Sequence, residues 1–307
     1  MNIENMRSFC LVVENGSVSQ AARLSFISQP AVTRQVKQME DEYGALLFER
    51  KDGKLELTAA GKTVYDFARN IVDEYDLSQE AVQELIGKES SALVIGASLT
   101  IGEYLMPTIL GSYKKKEPDI TIHVSILNTP AILEQLNQRE IDLALVEGQV
   151  PDGDYRIYEF AKDELTLVTH PRHPFVKRES VTLDDVAKEV LICREANSGT
   201  RFQVERELER VGGLKEQSIL EMGTTQAIKN AVEEGLGVSI LPALAVAKEC
   251  HLGSLKRVKL EGFHVERFFK MVQKPRRFDK KSVRAFVDWM EEKKEWHYEP
   301  SFLRKGY

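Results

Sequence analysis

Cysteine is scarce in this chain: Cys10, Cys193 and Cys250 lie far apart, with no C-x-x-C pair and no histidine at metal-ligand spacing. That spacing suggests neither a disulfide framework nor a zinc site, so no metal and no other cofactor is expected. Buried thiols are the ordinary fate of such cysteines, and a redox-sensing regulator stays open as an alternative. Long apolar runs are missing too, since nothing approaches the roughly 18 residues that cross a bilayer. The opening Met1-Asn2-Ile3-Glu4-Asn5 lacks the basic-then-apolar pattern of a secretion signal. No membrane partner is expected, and the expected compartment is the cytoplasm. Positive charge is also short, with 42 Lys and Arg against 48 Asp and Glu, a net charge of −6. Such a balance argues against a broadly basic nucleic-acid binder, so any contact of that kind must come from one local face.

What is present suits a folded, multidomain protein. With 42% hydrophobic and 29% charged residues the chain is too apolar for disorder, and 307 residues exceed the usual size of one core. Two or three domains are expected.

In the first sixty residues, Ile3, Met6, Phe9, Cys10 and Val13 recur at helical spacing, and Asn15-Gly16 ends the run. Ser17 stands three residues before Gln20, the spacing of a capping box, so a short helix over about 18–24 follows. Ala21 and Ala22 allow another helix to cross closely, with Leu24 as the apolar anchor. After Ser25-Phe26-Ile27, Ser28 is placed to cap a third helix that has Pro30 in its first turn. This third helix turns Ala31 or Val32, Val36, Met39 and Tyr43 inward.

Its other side carries Gln29, Thr33, Arg34 and Lys37, the amide, hydroxyl and cationic groups that reach base edges and phosphates from a major groove. Pro30 and Ala31 complete the candidate reading set. No acid enters that helix before Glu40. Leu46-Leu47-Phe48 is expected to plug the core, and Glu49 to Leu57 to form a two-stranded wing. Arg50, Lys51 and Lys54 on the wing are candidates for phosphate contact, although a charged, solvated hairpin looks the same in sequence. Residues 1–60 hold seven Lys and Arg and eight Asp and Glu, so the placement of cations matters more than their number.

The residues Phe9-(x)3-Val13-Glu14-Asn15-Gly16-Ser17-(x)3-Ala21-Ala22, then Ser28-Gln29-Pro30-Ala31-Val32-Thr33-Arg34-Gln35, then Leu47-Phe48-Glu49-Arg50 and Leu57-Thr58-(x)2-Gly61 carry a family likeness. The chain resembles the LysR-type transcriptional regulators. The resemblance implies a winged helix-turn-helix that binds double-stranded DNA at an inverted-repeat promoter site. It implies a homodimer, extended to a homotetramer, and contact with RNA polymerase if the protein is an activator.

Thr58 is placed to cap a long helix reaching about Ile86, roughly 43 Å at the standard rise. Val64, Ala68, Ile71, Tyr75, Ser78, Val82 and Leu85 alternate steps of four and three, as a helix–helix seam between protomers requires; packing on its own domain is the other reading. Gly87-Lys88-Glu89-Ser90-Ser91 reads as a hinge.

From Leu93 onward, short apolar strands near 93–96, 120–124, 143–146, 165–168, 190–192 and 237–242 alternate with helices near 102–116, 130–138, 182–187, 200–211 and 225–234. This is an α/β pattern with a largely parallel sheet. The resemblance implies a two-lobed effector domain similar to type 2 periplasmic binding proteins. The expected organisation is a DNA-binding domain over 1–58, a linker helix and hinge over 59–91, lobe I over 92–161 and 267–292, lobe II over 162–266, and a tail over 293–307.

In such sheets a ligand sits beyond the carboxyl ends of strands, where helix N-termini present free N–H groups. Ser98 and Thr100, Thr129, Ser198-Gly199-Thr200-Arg201 and Thr224 fall at these points and form the candidate pocket for a small anionic effector. Each hydroxyl taken alone is equally an ordinary helix cap. Arg201 can face an anion or pair with Glu205 one turn later. Ile95 to Pro107 and Arg194 to Arg201 are similar to the branch of the family that regulates sulfur assimilation and anion metabolism, including sulfite-reductase regulators. Ala196-Asn197 stands where that branch has Pro-Gly. A sulfur oxyanion or small carboxylate is the expected effector class.

An enzyme is not expected. Gly96-Ala97-Ser98-Leu99-Thr100 lacks the second glycine of a hydrolase elbow, and no motif places a His or Asp to activate Ser98 or Ser198. A solute-binding receptor would share the sensor fold, but the attached winged helix favours a regulator.

Overall fold

The computed structural model describes residues 2–51, 54–86, 92–196, 198–213, 218–276 and 279–293. The expected hinge at 87–91, the wing turn at Asp52-Gly53, Asn197 and the tail beyond 293 lie outside them. The chain divides into two compact units, residues 1–89 and 90–307. Among the described residues no helix is long and apolar enough to cross a membrane, and no group of three or more metal-ligating side chains is assembled.

In the first unit, α1 (Ile3–Asn15) stops at Gly16, whose φ of +60° closes the helix in a left-handed turn. α2 (Val18–Leu24) is capped by Ser17, which accepts the Gln20 N–H at 3.3 Å; the return bond of a full capping box is not formed among the described residues. α3 (Gln29–Tyr43) has Pro30 in its first turn. Ser28 occupies its N-cap, but the hydroxyl makes no capping bond. The wing pairs β1 (Phe48–Lys51) antiparallel with β2 (Lys54–Leu57). Thr58 then accepts the Gly61 N–H at 2.9 Å and starts α4 (Ala59–Leu85).

Phe9, Ala21, Val32, Met39 and Leu47 fill the core of this unit together with Val64, Ala68 and Val72 of α4. A Cβ on Gly61 would collide with the Leu47 carbonyl oxygen, so α4 can approach the strand only without a side chain there. Three expected core residues are open instead: Leu24, Tyr43 and Leu46. Leu24 and Tyr43 end their helices, and Leu46 loses the inward position to its neighbour Leu47. The expected seam of α4 is split. Val64 and Ala68 pack on the unit's own core, while Phe67, Ile71, Tyr75, Val82 and Leu85 are exposed and Ser78 faces solvent with them. Arg7 of α1 clamps α4 by a two-pronged bond to Asp76 at 2.8 and 2.7 Å.

The second unit runs β3 (Leu93–Ser98), a π-helical turn (Ile101–Leu105), α5 (Met106–Lys116), β4 (Ile122–Leu127), α6 (Thr129–Asn137) and β5 (Leu143–Glu147). The long β6 (Arg156–Thr169) leads to α7 (Leu183–Val186), β7 (Leu191–Cys193), α8 (Gly199–Arg210), β8 (Ile219–Glu221) and α9 (Thr225–Glu233). β9 (Ser239–Pro242), α10 (Ala243–Leu252), β10 (Lys256–Val258), β11 (Val265–Gln273) and α11 (Lys281–Glu292) complete it. The main sheet has the order β10-β6-β11-β5-β3-β4, with β9 also on β6. β3 is parallel to β4 and β5, but β6 and β11 run antiparallel to each other through the middle.

These two long strands serve two sets of cores. Phe160 and Ala161 of β6 pack with Phe269 and Met271 of β11, and with Leu93, Tyr113 and Phe286. Further along, Leu165 and Leu167 join Val181, Val204 and Ile240. The strand expected at 120–124 lies at Ile122–Leu127, and that expected at 165–168 reaches back to Arg156. Charged residues on the solvent face of Arg156–Lys162 hide its strand character from an apolar-run reading.

Phe26 joins α2 to α3 with φ +55°, a backbone conformation that disfavours any side chain, and its ring is 95% exposed. The turn is held by Phe26 N–H to Arg23 O at 3.2 Å and Ile27 N–H to Ala22 O at 3.1 Å. Phe26→Gly should therefore stabilise this unit by about 1 kcal/mol. Urea unfolding checks it; an unchanged or lower midpoint would refute the strain.

Candidate functional site

Two surfaces collect the candidate residues, one in each unit. In the first, Gln29, Pro30, Thr33, Arg34 and Lys37 stand on one side of α3, with Ala31 half-buried beside them. Gln29 accepts the Ser19 hydroxyl at 3.0 Å, and Thr33 donates to the Gln29 carbonyl at 3.0 Å, so both side chains are oriented. The opposite side of α3 is tied to α1: Ser8 donates to Gln35 at 2.7 Å and Asn5 to Gln38 at 3.2 Å. Glu40, the first acid of the helix, turns to the wing and accepts the Leu47 N–H at 2.8 Å. Its charge is thereby spent on joining α3 to β1. Arg50, Lys51 and Lys54 are exposed on the wing, with Lys51 directly opposite Lys54.

In the second unit a cleft of about 550 Å³ opens between α6 and α8. Asn128 caps α6, accepting the Ala131 N–H at 3.0 Å, and Ser198 caps α8, accepting the Arg201 N–H at 3.4 Å. The two N-termini face each other, since a Cβ on Gly199 would stand 3.8 Å from Thr129 Oγ1. Their free N–H groups and positive dipole ends favour an anion. Thr129, Ser198 and Gly199 line this cleft.

Ser98, Thr100 and Thr200 are buried behind the wall, engaged by charged groups that sequence reasoning missed. Arg267, 4% exposed, holds Asp163 through Nε at 2.8 Å and Nη2 at 2.7 Å, and donates to Thr200 Oγ1 at 3.1 Å and, at 3.5 Å, to Thr100 Oγ1. Ser98 donates to the buried carboxylate of Glu147. Asp163 in turn accepts the Leu244 N–H at 3.2 Å. Alternation contains the missed signal: Val265, Arg267, Phe269 and Met271 share the inward face of β11, and Ala161, Asp163, Leu165 and Leu167 that of β6. A charge in a core register requires a partner.

Two candidates stand apart from the cleft. Arg201 binds Glu205 at 2.7 Å, Glu221 at 2.5 Å and the Arg194 carbonyl at 2.8 Å, joining α8 to β7 and β8. The pairing with Glu205 is the alternative that the structure realises. Thr224 is exposed and caps α9 through the Ala227 N–H at 3.1 Å.

Residues 3–62 match the family described as bacterial regulatory helix-turn-helix protein, lysR family, and residues 87–295 match the LysR substrate binding domain. The chain belongs to the LysR family. A probable RuBisCO transcriptional regulator from Cyanidioschyzon merolae is 32% identical over 94% of this chain and 97% of its own. The HTH-type transcriptional activator CmpR of Synechocystis is 33% identical over 92% of each chain. A full-length OxyR variant of Pseudomonas aeruginosa shares the fold with a TM-score of 0.71 at 20% identity, over 95% of this chain and 94% of its own. The Synechocystis CcmR regulatory domain in complex with 2-PG has a TM-score of 0.61 at 23% identity, over 66% of this chain and 97% of its own. Full-length CbnR complexed with its target DNA gives 0.63 at 21%, over 95% of this chain and 100% of its own. This LysR protein is a helix-turn-helix transcriptional regulator with an effector domain of the two-lobed, periplasmic-binding type, and not an enzyme.

Burial in both units has measurable consequences. Arg267→Ala leaves Asp163 as an unpaired buried charge and should cost about 3–5 kcal/mol in urea unfolding, whereas a loss under about 1 kcal/mol would remove Arg267 from its central place. Burial pushes the Cys10 thiol up to about 12 and Cys193 up to about 11, and raises Cys250. All three should therefore stay protonated at neutral pH and react slowly with iodoacetamide until the protein is unfolded; rapid native labelling would contradict this.

Proposed function

We propose that this LysR regulator reads DNA with Gln29, Pro30, Ala31, Thr33, Arg34 and Lys37, and grips phosphates with Arg50, Lys51 and Lys54. The exposed apolar face of α4 joins two copies, and an inverted-repeat site then meets two winged helices. RNA polymerase is a further partner if the regulator activates. The compartment is the cytoplasm. The parts are a DNA-binding domain over 1–58, a linker over 59–91, lobe I over 92–161 and 267–292, lobe II over 162–266 and a tail over 293–307.

A small anion binds in the cleft and biases lobe closure, which changes how the paired winged helices are spaced. The effector can act only through its different affinity for the two arrangements. The observation that carries this reading is the pair of helix N-termini, α6 and α8, facing each other at Thr129 and Gly199. The CcmR domain with 2-PG and CbnR with its target DNA support it as precedents on the same fold. Thr129, Ser198 and Gly199 contact the anion, while Ser98, Thr100 and Thr200 hold the groups behind them. The redox alternative is disfavoured by the raised thiols.

Arg34→Ala should weaken the operator more than random DNA, whereas Lys51→Ala should weaken all sequences alike and flatten the salt dependence by about one charge. Equal losses on both DNAs for Arg34→Ala would remove it from the reading set. For the cleft, thermal-shift measurements with sulfite, sulfate, thiosulfate, phosphate and small carboxylates should find acids that raise the melting point. Thr100→Val should lower that response by loosening Arg267, with the fold retained; a wild-type titration would dissociate Thr100 from the site.

A further inference from the structure

The cleft has a second chemical character that its helix N-termini do not explain. Glu147 ends β5, is 4% exposed, and forms part of the cleft wall. One of its carboxylate oxygens, Oε2, accepts the Ser98 hydroxyl. The other, Oε1, receives no hydrogen bond among the described residues. Its nearest cation is Arg267 at 3.9 Å, beyond hydrogen-bonding reach, because that guanidinium is committed to Asp163 and Thr200. Two buried carboxylates, Glu147 and Asp163, thus share one buried guanidinium.

Neighbouring basic side chains do not supply the missing donor. Lys270 donates to the Gly148 carbonyl at 3.2 Å, and on the outer wall His264 stands 3.7 Å from Glu266. A second wall residue adds an unmet acceptor: Oε1 of Gln203 is buried without a hydrogen-bond partner. The cleft therefore presents donors at the N-termini of α6 and α8 and unsatisfied acceptors at Glu147 and Gln203. An acceptor that meets no protein donor favours a ligand that donates to it, and a bare oxyanion placed there adds acceptor against acceptor.

We propose that the effector is a bifunctional acid. Its oxyanion group lies at the N-termini of α6 and α8, and a hydroxyl or ammonium on the same small skeleton donates to Glu147. This rests on the reading of the cleft as an anion site and narrows its ligand class. Inorganic oxyanions such as sulfate, and acids without a donor such as 2-phosphoglycolate, satisfy only half of the cleft.

The test is calorimetric titration of the full-length protein with matched skeletons: propionate, lactate and alanine; succinate, malate and aspartate; and sulfate and 2-phosphoglycolate as donor-free anions. At least one donor-bearing acid should bind ten times or more tighter than its donor-free counterpart and than sulfate. Preference for the amino acid identifies an ammonium, and preference for the hydroxy acid a hydroxyl. Glu147→Gln presents an amide N–H in place of the bare acceptor and should tighten sulfate and succinate while erasing the donor advantage. Donor-free anions that bind the wild type as tightly as every donor-bearing partner would overturn the proposal and leave the anion cleft standing. Binding by none of these acids would overturn both. The wild-type ranking decides even if Glu147→Gln fails to fold.

Discussion

The second unit is organised around the guanidinium of Arg267. β6 and β11 pass between its cores, and Asp163 and Arg267 meet on these two strands, both buried. From there Arg267 reaches Thr100, just beyond β3, and Thr200, in the first turn of α8. One planar, five-donor group thus holds segments from both ends of the long strands in one geometry. A buried ion pair of this kind adds little net stability compared with an apolar pair, because desolvation offsets most of the attraction. Its contribution is definition: Thr100 and Thr200 have one place to be, and Glu147 keeps the cation at 3.9 Å without a hydrogen bond from it.

The first unit solves a different electrostatic problem, the shortage of positive charge. Several of its acids are used as internal braces. Asp76 takes Arg7, Glu14 takes Arg69 at 2.6 Å, and Glu40 accepts backbone N–H groups at the start of the wing. Arg34, Lys37, Arg50, Lys51 and Lys54 stay on the outer side of α3 and the wing. A slightly acidic domain can in this way present a cationic face, and the formal sum over residues 1–60 says nothing of it.

Most elements were legible in the sequence because their signals are local. Gly16 ends α1, Ser17 caps α2, Pro30 opens α3, and Asn128 and Ser198 sit one residue before α6 and α8. The failures concern what depends on distant partners. The steps along α4 are regular, yet Val64, Ala68 and Val72 meet the core while Ile71 and Tyr75 do not, because the unit's own core takes a neighbouring face of the helix and leaves theirs open. The hydroxyls at strand ends were found, but the roles of Arg201 and Thr224 depend on Glu221 and on the Ala227 N–H, which spacing alone does not weigh against a ligand. Arg267, Asp163 and Glu147 escaped because a strand charge reads as solvent-facing until its register is known.

On the proposed reading, the two anion-recognising surfaces of this chain use opposite physics, and that bears on regulation. The DNA face relies on exposed side-chain cations, whose attraction is screened over about 8 Å at physiological ionic strength and falls as counterions accumulate. The cleft relies on fixed backbone N–H groups, buried hydroxyls and a buried carboxylate, where screening is weak. Changes in cellular salt therefore act strongly on DNA affinity and weakly on effector affinity. On that reading, burial would insulate sensing from the medium, and exposure would leave DNA release responsive to it. A sensor built from surface lysines would have coupled both to the same variable.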